Sequence, residues 1–321
     1  MTVHVLGAGA AGSALALALH RLGWPLGVIA RRTEADARAR CEALGGGTPA
    51  AVDGFAEALR AHAEAPGPHP PLLLITVPDR LLAPTAAALA GDLAGAGAGP
   101  AAGPAAGIPA LTGEPVALHL SGSEEVEALA PLRAVGLAVG GLHPLKSFVD
   151  LETGARLEGV VCALEGDEAA RALARRLAEA LGARPFELAP GTRAAWHAGA
   201  AHACNHLVAL VDQALDLLEA AGLPRDDGRA ALLPLVEGTV ENLKRHPPGQ
   251  ALTGPVARGD APVVARHLDA LATPAAGGPD GGLATTYRAL ALRAVELAQG
   301  AGRLDGPQAD ELRRVLTGDV P

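Results

Sequence analysis

The chain opens with an apolar run, a glycine-rich turn and a stretch of alanines and leucines. These read Val3-His-Val-Leu6, then Gly7-Ala-Gly-Ala-Ala-Gly12, then Ser13-Ala-Leu-Ala-Leu-Ala-Leu-His-Arg-Leu22. The order predicts a strand, a tight turn and a helix. Glycines spaced G-x-G-x-x-G allow the backbone to approach a pyrophosphate closely and let the helix N-terminus face it. We therefore predict a dinucleotide site, the alternative being a structural turn in a chain rich in glycine and alanine.

The end of the next apolar run, Leu26–Ala30, bears on which dinucleotide is bound. An NAD-preferring site would place Asp or Glu there to bind the ribose 2′-hydroxyl, but the residues present are Arg31, Arg32 and Thr33. A guanidinium group binds a phosphate through two hydrogen bonds, whereas a carboxylate repels it. The sequence predicts NADP(H) in preference to NAD(H). The alternative is that both arginines are a solvated start to the helix that follows.

Further apolar runs alternate with alanine-rich helical stretches as far as residue 188. The predicted strands are Leu72–Val77, Val116–Leu120, Val135–Leu142, Val160–Leu164 and Arg184–Leu188. Such alternation predicts an α/β, Rossmann-like parallel sheet covered on both faces. Every later periodic segment has helical length, which predicts an all-α domain. Its expected helices are Thr192–Ala221, Arg229–Arg245, Ala261–Ala272, Thr285–Gly300 and Pro307–Leu316. We place the division between residues 1–189 and 190–321.

Composition narrows the function classes. The chain has 321 residues, about two domains, and a formal net charge of −9, which disfavours a nucleic-acid partner. No run of about 20 apolar residues predicts a membrane span. Cys41, Cys162 and Cys204 form no C-x-x-C pair, so we expect buried thiols in a cytoplasmic protein. The low-complexity stretches 95–109 and 273–282 predict surface loops.

Polar residues follow three successive predicted strands, where ligands bind in open α/β sheets. They are Thr76, Pro78 and Asp79; His119, Ser121, Gly122 and Ser123; and His143, Pro144, Lys146 and Ser147. His143 is the expected proton donor or acceptor, oriented by Ser121 or Ser123. The alternative is a histidine that caps a strand. Lys146 could hold a substrate carboxylate or be simply exposed.

The predicted long helix carries His202 and His206 one turn apart, with Asn205 between them. We expect Asn205 to position the substrate through its amide. Two histidines at this spacing could also hold a metal, but no nearby carboxylate supplies a third ligand, so no metal is expected. The loop Leu252–Asp260 is expected to line the substrate cleft, with Asp260 capping the next helix.

Several motifs together resemble a family of Rossmann-like proteins with a C-terminal helical domain of unknown function. They are Gly7–Gly12, Val77–Asp79, His119–Ser123, Gly141–Phe148, Trp196–His197 through Asn205–His206, and Leu252–Asp260. The family is similar to the larger set with a 6-phosphogluconate dehydrogenase-like helical domain. That set includes pyrroline-5-carboxylate reductase, ketopantoate reductase and prephenate dehydrogenase.

The resemblance implies NAD(P)-dependent redox chemistry and homodimers formed by the helical domain. The serine and histidine are similar to the catalytic pair of prephenate dehydrogenases, which implies roles for Ser121 and His143. A lysine found one turn before the asparagine in ketopantoate reductases is replaced here by Ala201. The expected cofactor-binding residues are Gly7, Gly9, Ala10, Ala11, Gly12, Arg31, Arg32, Thr33, Val77 and Pro78.

The function predicted from these features is an NADP(H)-dependent oxidoreductase acting on a small polar carbonyl or imine substrate, such as a 2-oxo acid like ketopantoate. The catalytic residues would be His143, Ser121, Asn205 and Lys146. The missing helix lysine supports an alternative, an NADPH-binding sensor or regulatory protein without turnover.

Overall fold

The computed structural model of the protein describes residues 1–63, 71–95, 115–273 and 282–318. These residues form two compact units, residues 1–204 and residues 205–321. The sequence pattern changes at residue 189 because no strand follows there. The first unit nevertheless continues through one more helix, Arg193–Ala203, whose first residue is buried beside the sheet.

The first unit is built on one eight-stranded sheet. Its strands are β1 (Thr2–Leu6), β2 (Leu26–Arg31), β3 (Thr48–Ala51), β4 (Pro71–Ile75), β5 (Val116–His119), β6 (Ala138–Pro144), β7 (Val161–Gly166) and β8 (Arg184–Glu187). Their order is β3-β2-β1-β4-β5-β6-β7-β8. Neighbours from β3 to β6 are parallel, β7 is antiparallel to β6, and β8 is parallel to β7, so the last two strands run opposite to the other six. The predicted Rossmann-like sheet is confirmed.

Helices cover both faces of the sheet, as the continuous apolar strands predict. They are α1 (Ala10–Arg21), α2 (Glu34–Leu44), α3 (Phe55–Ala63), α4 (Asp79–Gly95), α5 (Ala130–Ala134), α6 (Leu151–Gly154) and α7 (Glu168–Ala180). The last helix of this unit, α8 (Arg193–Ala203), buries only Arg193. One apolar core lies under α1 and α7, and a second under α3 and α4. The carboxyl ends of β1, β4, β5 and β6 share one edge because these strands are parallel.

The second unit is helical, as predicted. Its helices are α9 (Asn205–Ala220), α10 (Arg225–Arg245), α11 (Pro248–Ala251), α12 (Ala261–Leu271), α13 (Gly282–Gly300) and α14 (Gly306–Thr317). Residues of α12, α13 and α14 form its core, which includes the buried side chains of Val264, Val295 and Leu312. Asp260 accepts a hydrogen bond from the Val263 amide, so the predicted helix cap is confirmed.

Two expectations about this region are wrong. The helix predicted over Thr192–Ala221 is divided at Cys204 into α8 and α9. Cys204 itself is exposed, whereas Cys41 and Cys162 are buried as expected. Residues 96–114 and 274–281 lie outside the described residues, and they include most of the low-complexity stretches 95–109 and 273–282. Among the helices that the structure describes, none is long and apolar enough to cross a membrane.

Candidate functional site

The glycine turn adopts the geometry that the sequence predicts. Gly7 has a φ of +90°, which favours glycine, and the amides of Gly7 and Ala8 both donate to the Ala30 carbonyl. Helix α1 begins at Ala10 with no side-chain cap and no acidic residue in its first turn. The first amides of a helix lack intrahelical acceptors and carry partial positive charge. Gly9–Gly12 therefore presents an anion-binding backbone.

Two glycines of the turn have no room for a side chain. A Cβ on Gly12 would lie 2.1 Å from the Thr76 hydroxyl oxygen, and one on Gly7 would lie 2.8 Å from the Val77 amide nitrogen. Thr76 also donates its hydroxyl hydrogen to the Gly7 carbonyl at 2.8 Å. The segment after β4 thus packs directly on the turn. This places Val77, and Pro78 next to it, beside the glycine turn as the motif predicts.

Arginine side chains cluster at the end of β2. Arg31 is the last residue of β2, and Arg32, which follows it, is exposed. Burial, and then the charge of Arg31, lowers the pKa of the Arg40 guanidinium on α2, so a third arginine lies near the first. Sequence reasoning missed Arg40. Thr33 caps α2: its hydroxyl oxygen accepts from the Asp36 amide, and its hydroxyl hydrogen goes to the Asp36 carboxylate.

His143, near the end of β6, has a different partner from the one predicted. The indole Nε1–H of Trp196 on α8 donates to His143 Nδ1 at 2.9 Å. The hydroxyl oxygen of Ser121 accepts from the amides of Ser123 and Glu124 and shapes the loop after β5, and among the described residues no hydrogen bond joins it to this imidazole. Trp196 is part of a sequence motif but had no predicted role, because 53 residues separate it from His143.

The other side of the His143 ring lies against Gly122 and His197. A Cβ on Gly122 would lie 2.7 Å from His143 Nε2 and 2.5 Å from His197 Cδ2. The two imidazole rings meet edge to face, with centroids 6.1 Å apart. Burial, followed by the charges of Arg193 and His197, lowers the pKa of His143 to about 4, against a smaller opposing effect of Asp79. The ring is therefore neutral at pH 7.

A buried group of charged side chains, which was not identified from the sequence, lies beneath the loop after β5. Arg193 is fully buried, donates to the Ser121 carbonyl at 2.5 Å, and places Nη2 2.8 Å from Glu165 Oε1. That ion-pair contact lies off the hydrogen-bond direction, so neither atom gains a hydrogen bond from it. Burial raises the pKa of Glu165, which Arg193 opposes. Gly141 makes room for the guanidinium: a Cβ there would lie 2.7 Å from Nη2.

His119 completes the buried group. Its Nε2 lies 3.8 Å from Glu165 Oε1, and burial lowers its pKa to about 3, so it is neutral. His119 therefore adds no charge at pH 7 to the pair formed by Arg193 and Glu165. Because a buried arginine is costly without a paired anion, Glu165 stabilises the start of α8 at this edge of the sheet.

The remaining predicted residues lie in three different settings. Ser123 donates its hydroxyl hydrogen to Asp79 at 2.6 Å, which joins the loop after β5 to the start of α4. The ammonium group of Lys146 donates a hydrogen bond to the Arg156 carbonyl at 2.8 Å, and not to any of the residues that contact His143. Asn205 begins α9 in the second unit. Within the described ranges, no three His, Cys, Asp or Glu side chains are grouped to hold a metal ion.

Comparison with known proteins adds the fold relationship. Residues 160–294 match the model of a domain of unknown function, DUF2520. Protein TM1727 from Thermotoga maritima has 23% identity and a TM-score of 0.65, covering 94% of this chain and 99% of its own. BF3122 of Bacteroides fragilis, assigned as an NADP oxidoreductase, has 21% identity and a TM-score of 0.66 over 92% and 98%.

An imine reductase from Myxococcus stipitatus, solved in complex with NADP⁺, has 18% identity and a TM-score of 0.59 over 97% of this chain and 99% of its own. No curated protein matches the chain. At these levels of sequence identity, the similarity to the solved structures establishes the fold of the chain. The chain thus has a Rossmann-like domain followed by a helical domain, the fold of these oxidoreductase structures, and residues 160–294 match DUF2520.

Proposed function

We propose that this protein is an NADPH-dependent reductase of a small polar carbonyl or imine compound. The observation that carries the proposal is the pairing, in one unit, of an uncapped glycine turn with a neutral, oriented histidine at the same edge of the sheet. The similar structures support it, since one is an imine reductase with NADP⁺ bound. With 2% aromatic residues, the chain favours a polar substrate recognised by charge and hydrogen bonds.

The turn residues Gly7 to Gly12 fit the pyrophosphate of a dinucleotide, because their backbone leaves space and their amides carry partial positive charge. Bound NADPH would supply a hydride to the carbon of a C=O or C=N bond. The bond's electron pair would move to oxygen or nitrogen, which takes up a proton. Asn205 is proposed to position the substrate, and Lys146, whose ammonium group has three donors and gives one to the Arg156 carbonyl, is proposed to pair with a substrate carboxylate.

His143 has a role in this scheme that differs from simple proton shuttling. With a pKa of about 4 it is not an imidazolium at pH 7. A neutral imidazole can still polarise a carbonyl by donating a hydrogen bond, as in other enzymes that keep a histidine uncharged. We assign His143 this polarising role, with the proton coming ultimately from solvent.

The function is tested by following NADPH oxidation with a panel of 2-oxo acids and cyclic imines. Turnover with at least one compound, lost in His143→Gln while NADPH still binds, is the expected result. Binding of NADPH without turnover of any compound would refute the reductase and support the alternative, a sensor or regulatory protein.

The cofactor preference is a separate prediction. Arg31 and Arg32, with Arg40 nearby, favour a 2′-phosphate, so NADPH should bind roughly ten- to a hundredfold more tightly than NADH. In the double variant Arg31→Ala/Arg32→Ala the two dissociation constants should become similar, as measured by fluorescence titration. Arg38→Ala, which removes an exposed arginine paired with Glu34 on α2, is the control and should keep the preference. Equal affinities in the unmutated protein would contradict the assignment.

We also propose that the protein forms a homodimer through its helical unit. Large apolar side chains stay exposed on α9 and α10 of the single chain, among them Val208 at 69% and Leu235 at 66%. Apolar area of this kind is typical of a surface that is covered by another protein. A second copy is the partner that the sequence resemblance implies.

A further inference from the structure

The contact between Trp196 and His143 fixes where the histidine carries its proton. An indole nitrogen can only donate a hydrogen bond, so the atom that receives its hydrogen must present a lone pair. Trp196 Nε1 lies 2.9 Å from His143 Nδ1. We propose that Trp196 is a positioning residue that holds His143 as the tautomer protonated on Nε2. Its effect on turnover rests on the reductase function proposed above, but the tautomer does not.

Both rings of this pair are held by other contacts. The Trp196 indole stacks on Phe186 of β8, with ring centroids 5.6 Å apart and an angle of 9° between the planes. It also meets the His143 ring edge to face at 6.5 Å. Three residues earlier on α8, Arg193 is anchored to the Ser121 carbonyl and Glu165. Residues three apart lie on the same side of a helix, so this anchor presents Trp196 to β6.

The opposite nitrogen of His143, Nε2, is the one that the Trp196 hydrogen bond leaves to carry a proton. Nε2 packs against Gly122, where a Cβ would lie 2.7 Å from it, so a side chain at this position would crowd the ring edge. The charged and titratable groups that act on this ring are Arg193, His197 and Asp79. Burial and the first two disfavour an imidazolium, so the single proton on the ring belongs to Nε2. This hydrogen is the donor that would polarise a substrate oxygen or nitrogen.

The tautomer can be read directly from long-range ¹H–¹⁵N spectra of histidine-labelled protein at pH 7, without cofactor or substrate. His143→Gln identifies the signal. The unmutated protein should show His143 protonated on Nε2 alone. Trp196→Phe keeps an aromatic ring beside Phe186 but removes the donor, so we expect a mixture of tautomers and a titration midpoint raised by up to about one pH unit.

Trp24→Phe is the matched control, because Trp24 packs against the apolar core of the first unit and should leave the His143 signal unchanged. If the reductase is active, Trp196→Phe should lower kcat about tenfold or more with little change in the NADPH dissociation constant. An Nδ1–H signal in the unmutated protein, or an unchanged signal in folded Trp196→Phe, would overturn the proposal. Absence of turnover would refute the function while leaving the spectral result intact.

Discussion

The imidazole of His4 replaces a backbone acceptor in the middle of the sheet. The pairing of β1 with β2 shifts register between Val3 and Val5, and the Val28 amide donates to His4 Nδ1 at 3.0 Å. Gly27 lies alongside, where a Cβ would come within 2.3 Å of the ring. Burial, followed by the charge of His62, lowers the pKa of His4 to about 3. His4 therefore makes the stability of the protein depend on pH.

The sign of this dependence follows from the two states. Below pH 6.5 the unfolded chain protonates His4, while the folded chain keeps it neutral down to about pH 3, so stability present above pH 6.5 is lost as the pH falls. In His4→Asn, the drop in the free energy of unfolding between pH 7 and pH 5 should shrink by about 2 kcal/mol. Urea unfolding at the two pH values measures it. His246→Asn, at the exposed end of α10, should keep the original drop; an unchanged drop in His4→Asn would refute this account.

At the level of residues, the sequence was sufficient to predict a candidate site residue where that residue belongs to a local motif. The glycine turn and the position of His143 at the end of a strand are examples. No role could be predicted for Arg193, Glu165 or Trp196, because Trp196 meets His143, and Arg193 meets Glu165, only after β7 reverses direction and α8 returns to the sheet. Gly141 carried a usable signal: a glycine inside an apolar strand often marks a close approach, and here Arg193 makes it.

Helix α14 shows how strongly one cap residue can matter to an element. Asp305 accepts from the Gln308 amide at 2.8 Å, and Gln308 accepts from the Asp305 amide in return, which satisfies two amides at the start of the helix. The helix buries Leu312 and Leu316 in the core of the second unit. Asp305→Ala should therefore lower the free energy of unfolding by about 1 kcal/mol.

Asp310→Ala provides the comparison within the same helix. It removes an exposed ion pair with Arg313, which we expect to be worth at most about 0.5 kcal/mol. Urea unfolding of both variants gives the difference. Equal losses in the two variants would show that the cap contributes nothing special.

Among the elements, most strands and helices were predictable from periodicity, but β3 and the break at Cys204 were not. Strand β3 is only Thr48-Pro-Ala-Ala51, too short and too poor in β-branched residues to give a signal. The segment around Cys204 contains neither proline nor glycine at the break itself. The division between α8 and α9 coincides with the division between the two units, a property of packing that the local sequence does not encode.

On the scale of the whole molecule, the exposed apolar side chains of α9 and α10 predict a dimer. Sedimentation velocity at micromolar concentration should show a single dimeric species. Val208→Glu combined with Leu235→Glu places charges on both helices, so it should produce monomers, since burying unpaired charges costs several kcal/mol. Val149→Glu, an exposed apolar residue of the first unit, should remain dimeric. A monomeric unmutated protein would contradict the prediction.

The position of β1 has a consequence for synthesis on the ribosome. In the finished sheet, β1 lies between β2 and β4. It is synthesised before both, so residues 71–75, which form β4, must leave the exit tunnel before the second edge of β1 is paired. The sheet then grows strand by strand toward β8, in the order of translation. Arg193 finds Glu165 only after the last strand has emerged. Closure of the buried ion pair is thus among the final events in assembling the first unit, whose earlier strands can pair while translation continues.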